Sequence, residues 1–347
     1  MRRIDVGVLG ATGMVGQQFA LQLAAHPWFT LTWLAASERS EGRKYRDAAP
    51  WRLPVPIPAP LADRAVEACT PGRGPKVVFS ALDAGVAGDI EAAFAAAGHI
   101  VVSNARNYRM DDVVPLLVPE VNPDHLALTA RQCASRGWKG AVVTNPNCST
   151  VFLAMVLAAL RGFEPRAVVV STMQAVSGAG YPGVPSLDIL GNVVPFIGGE
   201  EEKMESETKK ILGRVGPGGV EPHAVAISAH TNRVPVINGH TETISVGFGL
   251  RPPQEEVRAA LERFAGRPQE LGLPTAPARA IEYLDEPNRP QPRLDADRGA
   301  GMTVTVGRLR PCGVLDYKLV ALGHNTIRGA AGAAVLNAEL MHAEGRL

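Results

Sequence analysis

The sequence predicts an α/β protein in two parts, a parallel sheet with crossover helices followed by a second, mixed or antiparallel sheet. Up to Cys148, strand-like runs alternate with alanine-rich helical stretches, as in Val77–Ala81, Ile90–Ala97 and Ile100–Ser103. Past Cys148 the texture changes to strand-like segments separated by Pro-rich loops, at Pro252-Pro253 and from Pro287 to Pro292. A length of 347 residues leaves room for two domains with an ample core.

The first element, Arg2 to Leu9, reads as a strand through Ile4, Val6, Val8 and Leu9. Gly10-Ala11-Thr12-Gly13-Met14-Val15-Gly16 follows, and then an apolar helix with Val15, Phe19, Leu21 and Leu23. Strand, glycine-rich turn and helix in that order make a Rossmann-type dinucleotide site. The glycines let the backbone approach a pyrophosphate, which rests on the helix N-terminus. The spacing G-x-x-G-x-x-G is a variant of the usual fingerprint, and its flanks make it specific. The second strand, Leu31–Ala36, ends in Ser37-Glu38-Arg39-Ser40. An acid about twenty residues past the glycines favours a free ribose 2′-hydroxyl, whereas an arginine accommodates a 2′-phosphate. Both are present, and the two serines with Arg43 and Lys44 favour NADP.

A further strand-like run, Ala141-Val142-Val143, leads into Asn145-Pro146-Asn147-Cys148-Ser149-Thr150. Val151 to Leu157 continue without a breaker, so a helix starts at or just after Cys148. Pro146 and the two asparagines build a turn, not a packed strand. A thiol at a helix N-terminus faces unpaired N–H groups and the positive end of the dipole, which lower its pKa and favour thiolate. The same N–H groups can hold an oxyanion. Of the four cysteines, Cys148 is therefore the expected nucleophile, labelled by alkylating reagents before Cys69, Cys133 or Cys312.

Downstream, Ala167–Gln174, Val225–Ile227, Arg233–Ile237, Thr241–Phe248, Met302–Leu309 and Tyr317–Leu322 read as strands. Gly329 to Met341 reads as a closing helix with Ala331, Ala334, Val335, Ala338 and Met341 on one stripe. Arg233 and His240 are seven apart, so on one regular strand they would face opposite sides. The turn pair Asn238-Gly239 lets His240 begin a new segment and recover the same side. A histidine beside a thiol can serve as base and then acid near neutral pH, and Arg233 can hold a carboxylate bidentately. Glu200-Glu201-Glu202-Lys203 opens an acidic-then-basic helix ending near Leu212, a pattern that by itself only complements a helix dipole.

The bulk properties exclude several classes. A net charge of +1, scattered along the chain, gives no electrostatic case for nucleic acid or an anionic membrane. The four cysteines have no paired spacing, which suggests a reducing compartment. No apolar run reaches the roughly 18 residues of a spanning helix, and the first residues enter a strand directly, so no signal peptide is expected and the location reads as cytoplasmic. His223 and His230 lack the spacing of a zinc site, so no metal is expected. No G-K-[ST] follows the glycines, which excludes a phosphate-loop NTPase.

Several motifs in order resemble the aspartate-β-semialdehyde dehydrogenase family nearly end to end. They are Gly10–Gly16, Val78–Leu82, Pro115 through Asn122, Asn145–Thr150, Gly199–Leu212, Asn232–His240 and Asn325–Glu339. The Glu-rich segment and Asn-Pro-Asn-Cys-Ser-Thr are closer to the archaeal and fungal branch than to the Gram-negative one. The resemblance implies a catalytic set of Cys148, His240, Gln174 to orient the acyl group, and Asn147 beside the thiol. It implies substrate contacts at Arg109 and Lys203 for phosphate, a glutamate for the ammonium, and Arg233 for the carboxylate. Glu200 shares a helix face with Lys203 and is preferred over Glu201; Arg106 competes with Arg109. Cofactor contacts fall at Gly10, Thr12, Gly13, Met14, Val15, Gly16, Ser37, Arg39, Ser40, Ser80, Ser177, Gly178 and Asn325.

The implied architecture is an NADP-binding domain of residues 1–148 with 325–347, and an α+β catalytic and dimerisation domain of 149–324, assembled as a homodimer or a dimer of dimers. The implied reaction interconverts L-aspartate 4-semialdehyde and L-aspartyl 4-phosphate through a cysteine thioester, on the route to lysine, methionine and threonine. Malonyl-CoA reductase keeps the same cysteine chemistry and is the nearest rival. N-acetyl-γ-glutamyl-phosphate reductase usually carries Pro-Gly-Cys, whereas this chain has Pro-Asn-Cys. A catalytically idle nucleotide-binding regulator is the alternative from another class.

Overall fold

The computed structural model describes residues 3–347, so the expected strand start at Arg2 lies outside the described residues. The first sheet comprises β1 (Ile4–Leu9), β2 (Phe29–Ala36), β3 (Glu67–Ala68), β4 (Val77–Ser80), β5 (Ile100–Ser103) and β6 (Ala141–Thr144). Their spatial order is β3-β2-β1-β4-β5-β6, all parallel. This is the doubly wound order, in which ligands bind at the carboxyl ends of strands where the order reverses. The central strands are near-continuous apolar runs because helices cover both faces. Phe19, Phe29 and Phe79 pack on one face with Ala334, Val335 and Leu340 of the closing helix. Trp33, Phe94, Val101 and Val142 fill the other.

The second sheet holds β7 (Pro165–Gln174), then, after the separate hairpin of β8 (Arg214–Gly216) and β9 (Gly219–Glu221), β10 (Ala226–Arg233), β11 (His240–Phe248), β12 (Ile281–Leu284), β13 (Val304–Pro311) and β14 (Tyr317–Gly323). The order is β10-β7-β11-β14-β13-β12. The β10–β7 and β12–β13 pairs are parallel and the rest antiparallel, so the sheet is mixed. The apolar helix Cys148–Ala159 lies against it, burying Phe152, Val156 and Leu157 with Val170, Ile244 and Val246. Gly323 permits this contact, since a methyl there would meet the Phe152 ring at 2.2 Å.

Two expectations need correction, and one strand of the second sheet was not anticipated. The run read as a strand over Arg233–Ile237 is not one: Arg233 ends β10, which is longer than expected, and Pro235 offers no N–H for pairing. The segment Ile281–Leu284 is a strand with only four residues of signal. The closing α-helix begins at Gly332, not Gly329, because Ile327–Ala331 forms a π-helical turn.

Candidate active site

Cys148 is the first residue of its helix, as the turn chemistry predicts. Asn147 caps it, its Oδ1 accepting from the N–H groups of Ser149 at 3.0 Å and Thr150 at 3.2 Å. Gly329 comes so close that a methyl there would lie 2.5 Å from Cys148 Cβ. The expected lowering of the thiol pKa is not met. Burial first, and the Glu200 charge second, push the Cys148 thiol up to about 12; Arg109, Arg233 and the Ser149 N–H pull the other way without prevailing. The cap explains part of this: Asn147 has already taken two first-turn donors. Resting Cys148 is a thiol. The cysteine that is lowered is Cys312, by the N–H groups of Leu315 and Val314.

One side of the site is the Glu200–Ile211 helix. Glu200 accepts from Asn147 Nδ2 at 2.6 Å and pairs with Lys203 at 3.1 Å. Glu201 is turned away, accepting the Thr231 N–H at 2.9 Å. Arg109 is buried and donates to Glu207 at 3.1 Å and to the Asn104 carbonyl at 2.7 Å, whereas Arg106 is exposed. The structure therefore gathers Glu200, Lys203 and Arg109 beside Asn147, and leaves Glu201 and Arg106 out.

The other side is the end of the second sheet. Register sets Arg233 opposite Gln174 and His240 opposite Gly323, and the Thr241–Met173 pair puts His240 next to Gln174. These groups form one cross-strand row. Gly239, at φ +93°, makes the turn that returns His240 to the side of Arg233. A methyl on Gly178 would lie 3.0 Å from both Arg233 Nη1 and His240 Nε2, so the two side chains converge there. Arg233 Nη1 donates to the Ala175 carbonyl at 2.8 Å. His240 Nδ1 accepts the Ala175 N–H at 2.9 Å. The neutral ring consequently carries its proton on Nε2, which is buried without a partner among the described residues. Burial, then Arg233 and His324, hold the His240 pKa well below the usual range. In this state His240 offers a fixed N–H donor and does not supply a base toward Cys148.

The glycine loop joins β1 to the Met14–Ala24 helix. Gly10 has φ +75°, and a methyl there would lie 2.6 Å from the Ala81 carbonyl; one on Gly16 would lie 2.2 Å from the Gly10 carbonyl. Gly13 has nothing nearer than 3.6 Å and leaves the helix N-terminus open, as a pyrophosphate would need. Thr12 and Val15 flank it. Ser37 and Arg39 are exposed at the end of β2, and Ser40 is buried behind them. Lys44 is paired with Asp63 at 2.9 Å and Arg43 donates to the Asp47 carbonyl, which leaves Arg39 as the unpaired cation there among the described residues. Ser80 ends β4 with a buried hydroxyl. Asn325 donates to Ser177 at 2.8 Å and accepts the Gly239 N–H at 2.9 Å, tying the two segments together. A cleft of about 980 Å³ opens between Met14 and Gln18 on one side and Ser177, Asn238, His324 and Thr326 on the other. The open helix N-terminus at Gly13 fits the pyrophosphate of a dinucleotide.

Sequence reasoning missed Glu207 and Lys210. Glu207 sits two helical turns beyond Glu200 on the same face, a spacing that was legible but was absorbed into the dipole pattern. Among the described residues no cluster of His, Cys, Asp or Glu could hold a metal ion. No helix of the described residues is long and apolar enough to cross a membrane.

Two family profiles match in chain order: "Semialdehyde dehydrogenase, NAD binding domain" over residues 5–129, and "Semialdehyde dehydrogenase, dimerisation domain" over 157–328. The chain is 51% identical over 340 residues to an aspartate-semialdehyde dehydrogenase of Archaeoglobus fulgidus, with 98% of each covered. A crystal structure of the Candida albicans aspartate semialdehyde dehydrogenase with NADP matches at TM-score 0.92 and 46% identity, covering 100% of both chains. Aspartate semialdehyde dehydrogenase II of Vibrio cholerae complexed with ASA matches at TM-score 0.77 and 26% identity, covering 99% of each. A likeness this complete, carried by sequence and backbone alike, means that the chain belongs to the aspartate-semialdehyde dehydrogenase family.

Proposed function

We propose that this chain is an NADP-dependent enzyme that reduces L-aspartyl 4-phosphate to L-aspartate 4-semialdehyde and releases phosphate, and that runs in reverse with phosphate as co-substrate. The observation that supports this reading best is that the charges of Glu200, Arg109 and Arg233 all act on Cys148, which ties it to two sets of groups. Arg233, Gln174 and His240 stand on one side, and Glu200, Lys203 and Arg109 on the other. A carboxylate, an ammonium and a phosphate on one short substrate match Arg233, Glu200, and Arg109 with Lys203.

Cys148 sulfur attacks the acyl carbon; a carbon–sulfur bond forms and the bond to the phosphate oxygen breaks. The thiol proton leaves on the phosphate, so the step balances without a protein base. The tetrahedral oxygen faces His240 Nε2–H, a preorganised donor of the kind typically worth about 2.7–4 kcal/mol. Gln174 orients the acyl group. NADPH held at the Gly10–Gly16 loop would supply the hydride that reduces the thioester carbon. Collapse of the resulting hemithioacetal oxyanion breaks the carbon–sulfur bond and expels Cys148 as a thiolate, which takes one proton from solvent to return to the resting thiol, while His240 steadies the oxygen until the aldehyde forms. Dividing the reduction at a covalent intermediate replaces one hard step with two easier ones.

The two sheets with separate cores, and the closing helix packed into the first core, support a nucleotide domain of 1–148 with 325–347 and a catalytic domain of 149–324. A homodimer through the second domain is supported by the dimerisation profile, and a dimer of dimers is the alternative assembly. We place the enzyme in the cytoplasm, on the route to lysine, methionine and threonine, without nucleic-acid or membrane partners.

Malonyl-CoA carries a carboxylate but no ammonium and has no use for Glu200. Glu200→Gln removes one charge at nearly constant shape, and a charge-assisted contact is worth about 1.5–3 kcal/mol. Turnover of aspartate semialdehyde should fall roughly ten- to a hundredfold, mostly in kcat/KM. Arg233→Lys should also lower it, because lysine cannot reproduce the bidentate fork. Preference of the native protein for malonyl-CoA with NADPH would overturn the substrate assignment.

A further inference from the structure

Glu207 is 2% exposed and uses both carboxylate oxygens inside the site. Oε1 accepts from Arg109 Nη1 at 3.1 Å, and Oε2 accepts the backbone N–H of Asn147 at 2.6 Å. One side chain thus joins the arginine assigned to phosphate and the residue that caps the nucleophile's helix. We infer that Glu207 is a positioning residue for the phosphate half of the reaction, setting the guanidinium of Arg109 at a fixed place relative to the N-terminus that carries Cys148. The inference rests on the proposed role of Arg109.

The chemistry of the two partners explains why a carboxylate is needed. Both are donors, and an ionised carboxylate is acceptor-only on two oxygens. An amide would have to present its NH2 group to one of the two donors, and an aspartate is shorter by a methylene. The helix supplies a second fastening three residues on. Lys210 Nζ donates to the carbonyls of Arg109 at 2.7 Å, Asp111 at 2.6 Å and Val114 at 3.0 Å, holding the backbone of the segment whose side chain Glu207 holds. Glu200, Lys203, Glu207 and Lys210 make one stripe at spacings of three, four and three, so a single rigid helix face sets substrate groups and their supports together. A misplacement of about 1 Å in such a group can lower a rate a hundredfold.

The test is steady-state kinetics in the oxidative direction, with aspartate semialdehyde and phosphate varied separately, on Glu207→Gln, Arg109→Ala and the double variant. Glu207→Gln should raise KM for phosphate about tenfold or more and lower kcat, while KM for aspartate semialdehyde, which relies on Arg233 and Glu200, changes less than about threefold. In the Arg109→Ala background, the further substitution Glu207→Gln should leave KM for phosphate unchanged, because the group it positions is gone. A merely structural role would move both KM values together, or act equally in both backgrounds, and either result overturns the inference. If Glu207→Gln is too unstable to assay, Glu207→Asp takes its place with the same selective rise in KM for phosphate required. If Arg109→Ala itself leaves KM for phosphate unchanged, the phosphate role of Arg109 fails, and the inference fails with it. If Arg109→Ala raises that KM while Glu207→Gln does not, only the Glu207 inference falls.

Discussion

At the residue scale, the thiol illustrates how two local effects compete. A helix N-terminus favours thiolate, but its influence is confined to the first turn and is shared with Asn147. Desolvation and Glu200 act in the opposite direction and win, favouring the protonated thiol at Cys148. Cys312 is the reverse case, a loop cysteine stabilised as thiolate by backbone N–H groups. Mass-spectrometric peptide mapping after brief iodoacetamide treatment at pH 7 should therefore find Cys312 labelled before Cys148. Because the Cys148 pKa is raised, its own labelling should keep accelerating with pH, about tenfold per unit below the pKa. Labelling of Cys148 first, with a rate already level at pH 7, would mean that the resting nucleophile is a thiolate. Cys148→Ala should abolish turnover and leave NADP binding intact, since the glycine loop belongs to another part of the chain. At the cofactor end, Arg39→Ala should weaken NADP binding far more than NAD binding, as titrations with each nucleotide can measure. Equal loss would remove Arg39 as the reader of the 2′-phosphate.

At the element scale, β11 carries two unlike buried groups on one face. His240 lies in the row with Arg233 and Gln174, and Glu242 lies one row deeper, between Thr172 and Ala321. Neither carboxyl oxygen of Glu242 has a partner among the described residues, and burial holds its pKa well above the usual carboxylate range. Burial therefore favours the neutral carboxyl in the folded chain, whereas the unfolded chain ionises it above its ordinary value of 4.5. The folded state binds the extra proton, so stability falls as pH rises from there toward the folded pKa. Glu242→Gln should raise the thermal midpoint, and by more at pH 8 than at pH 5. An equal shift at both pH values would show that Glu242 is ionised in the folded protein.

The same strand shows what a sequence can tell. The alternation Thr241 to Phe248 and the Asn238-Gly239 turn made β11 and the facing of His240 legible. The glycine loop and the capped Cys148 helix were legible for the same reason, since each is fixed by residues a few positions apart. Arg233–Ile237 was misread because apolar content suggested a strand where pairing partners decide otherwise. β12 was missed because its four residues acquire strand character only from β13 beside them. Glu207, the Ala175 N–H on His240 and the raised thiol pKa depend on which distant segments meet. Local pattern carries no record of that.

At the scale of the whole molecule, the site exists only where the two sheets meet. Cys148 starts the helix that leaves the first sheet and packs on the second. The chain then returns through the π-helical turn Ile327–Ala331, whose Gly329 touches Cys148 and whose Arg328 is clamped by Glu120 at 2.6 and 2.8 Å in a fully buried pair. Removing one member of a buried ion pair typically destabilises by about 3–5 kcal/mol. Arg328→Met should therefore lower the midpoint in urea substantially, and an unchanged midpoint would mean the pair does not hold this junction. The central claim is that Cys148 carries the acyl group between hydride transfer and phosphate. It is tested most directly by mixing the protein with aspartate semialdehyde and NADP in phosphate-free buffer, following NADPH formation and then weighing the protein. The account predicts a burst of about one NADPH per active site, an acyl adduct on the Cys148 peptide, and sustained turnover once phosphate is added. Turnover indifferent to phosphate, with no adduct on Cys148, would contradict it.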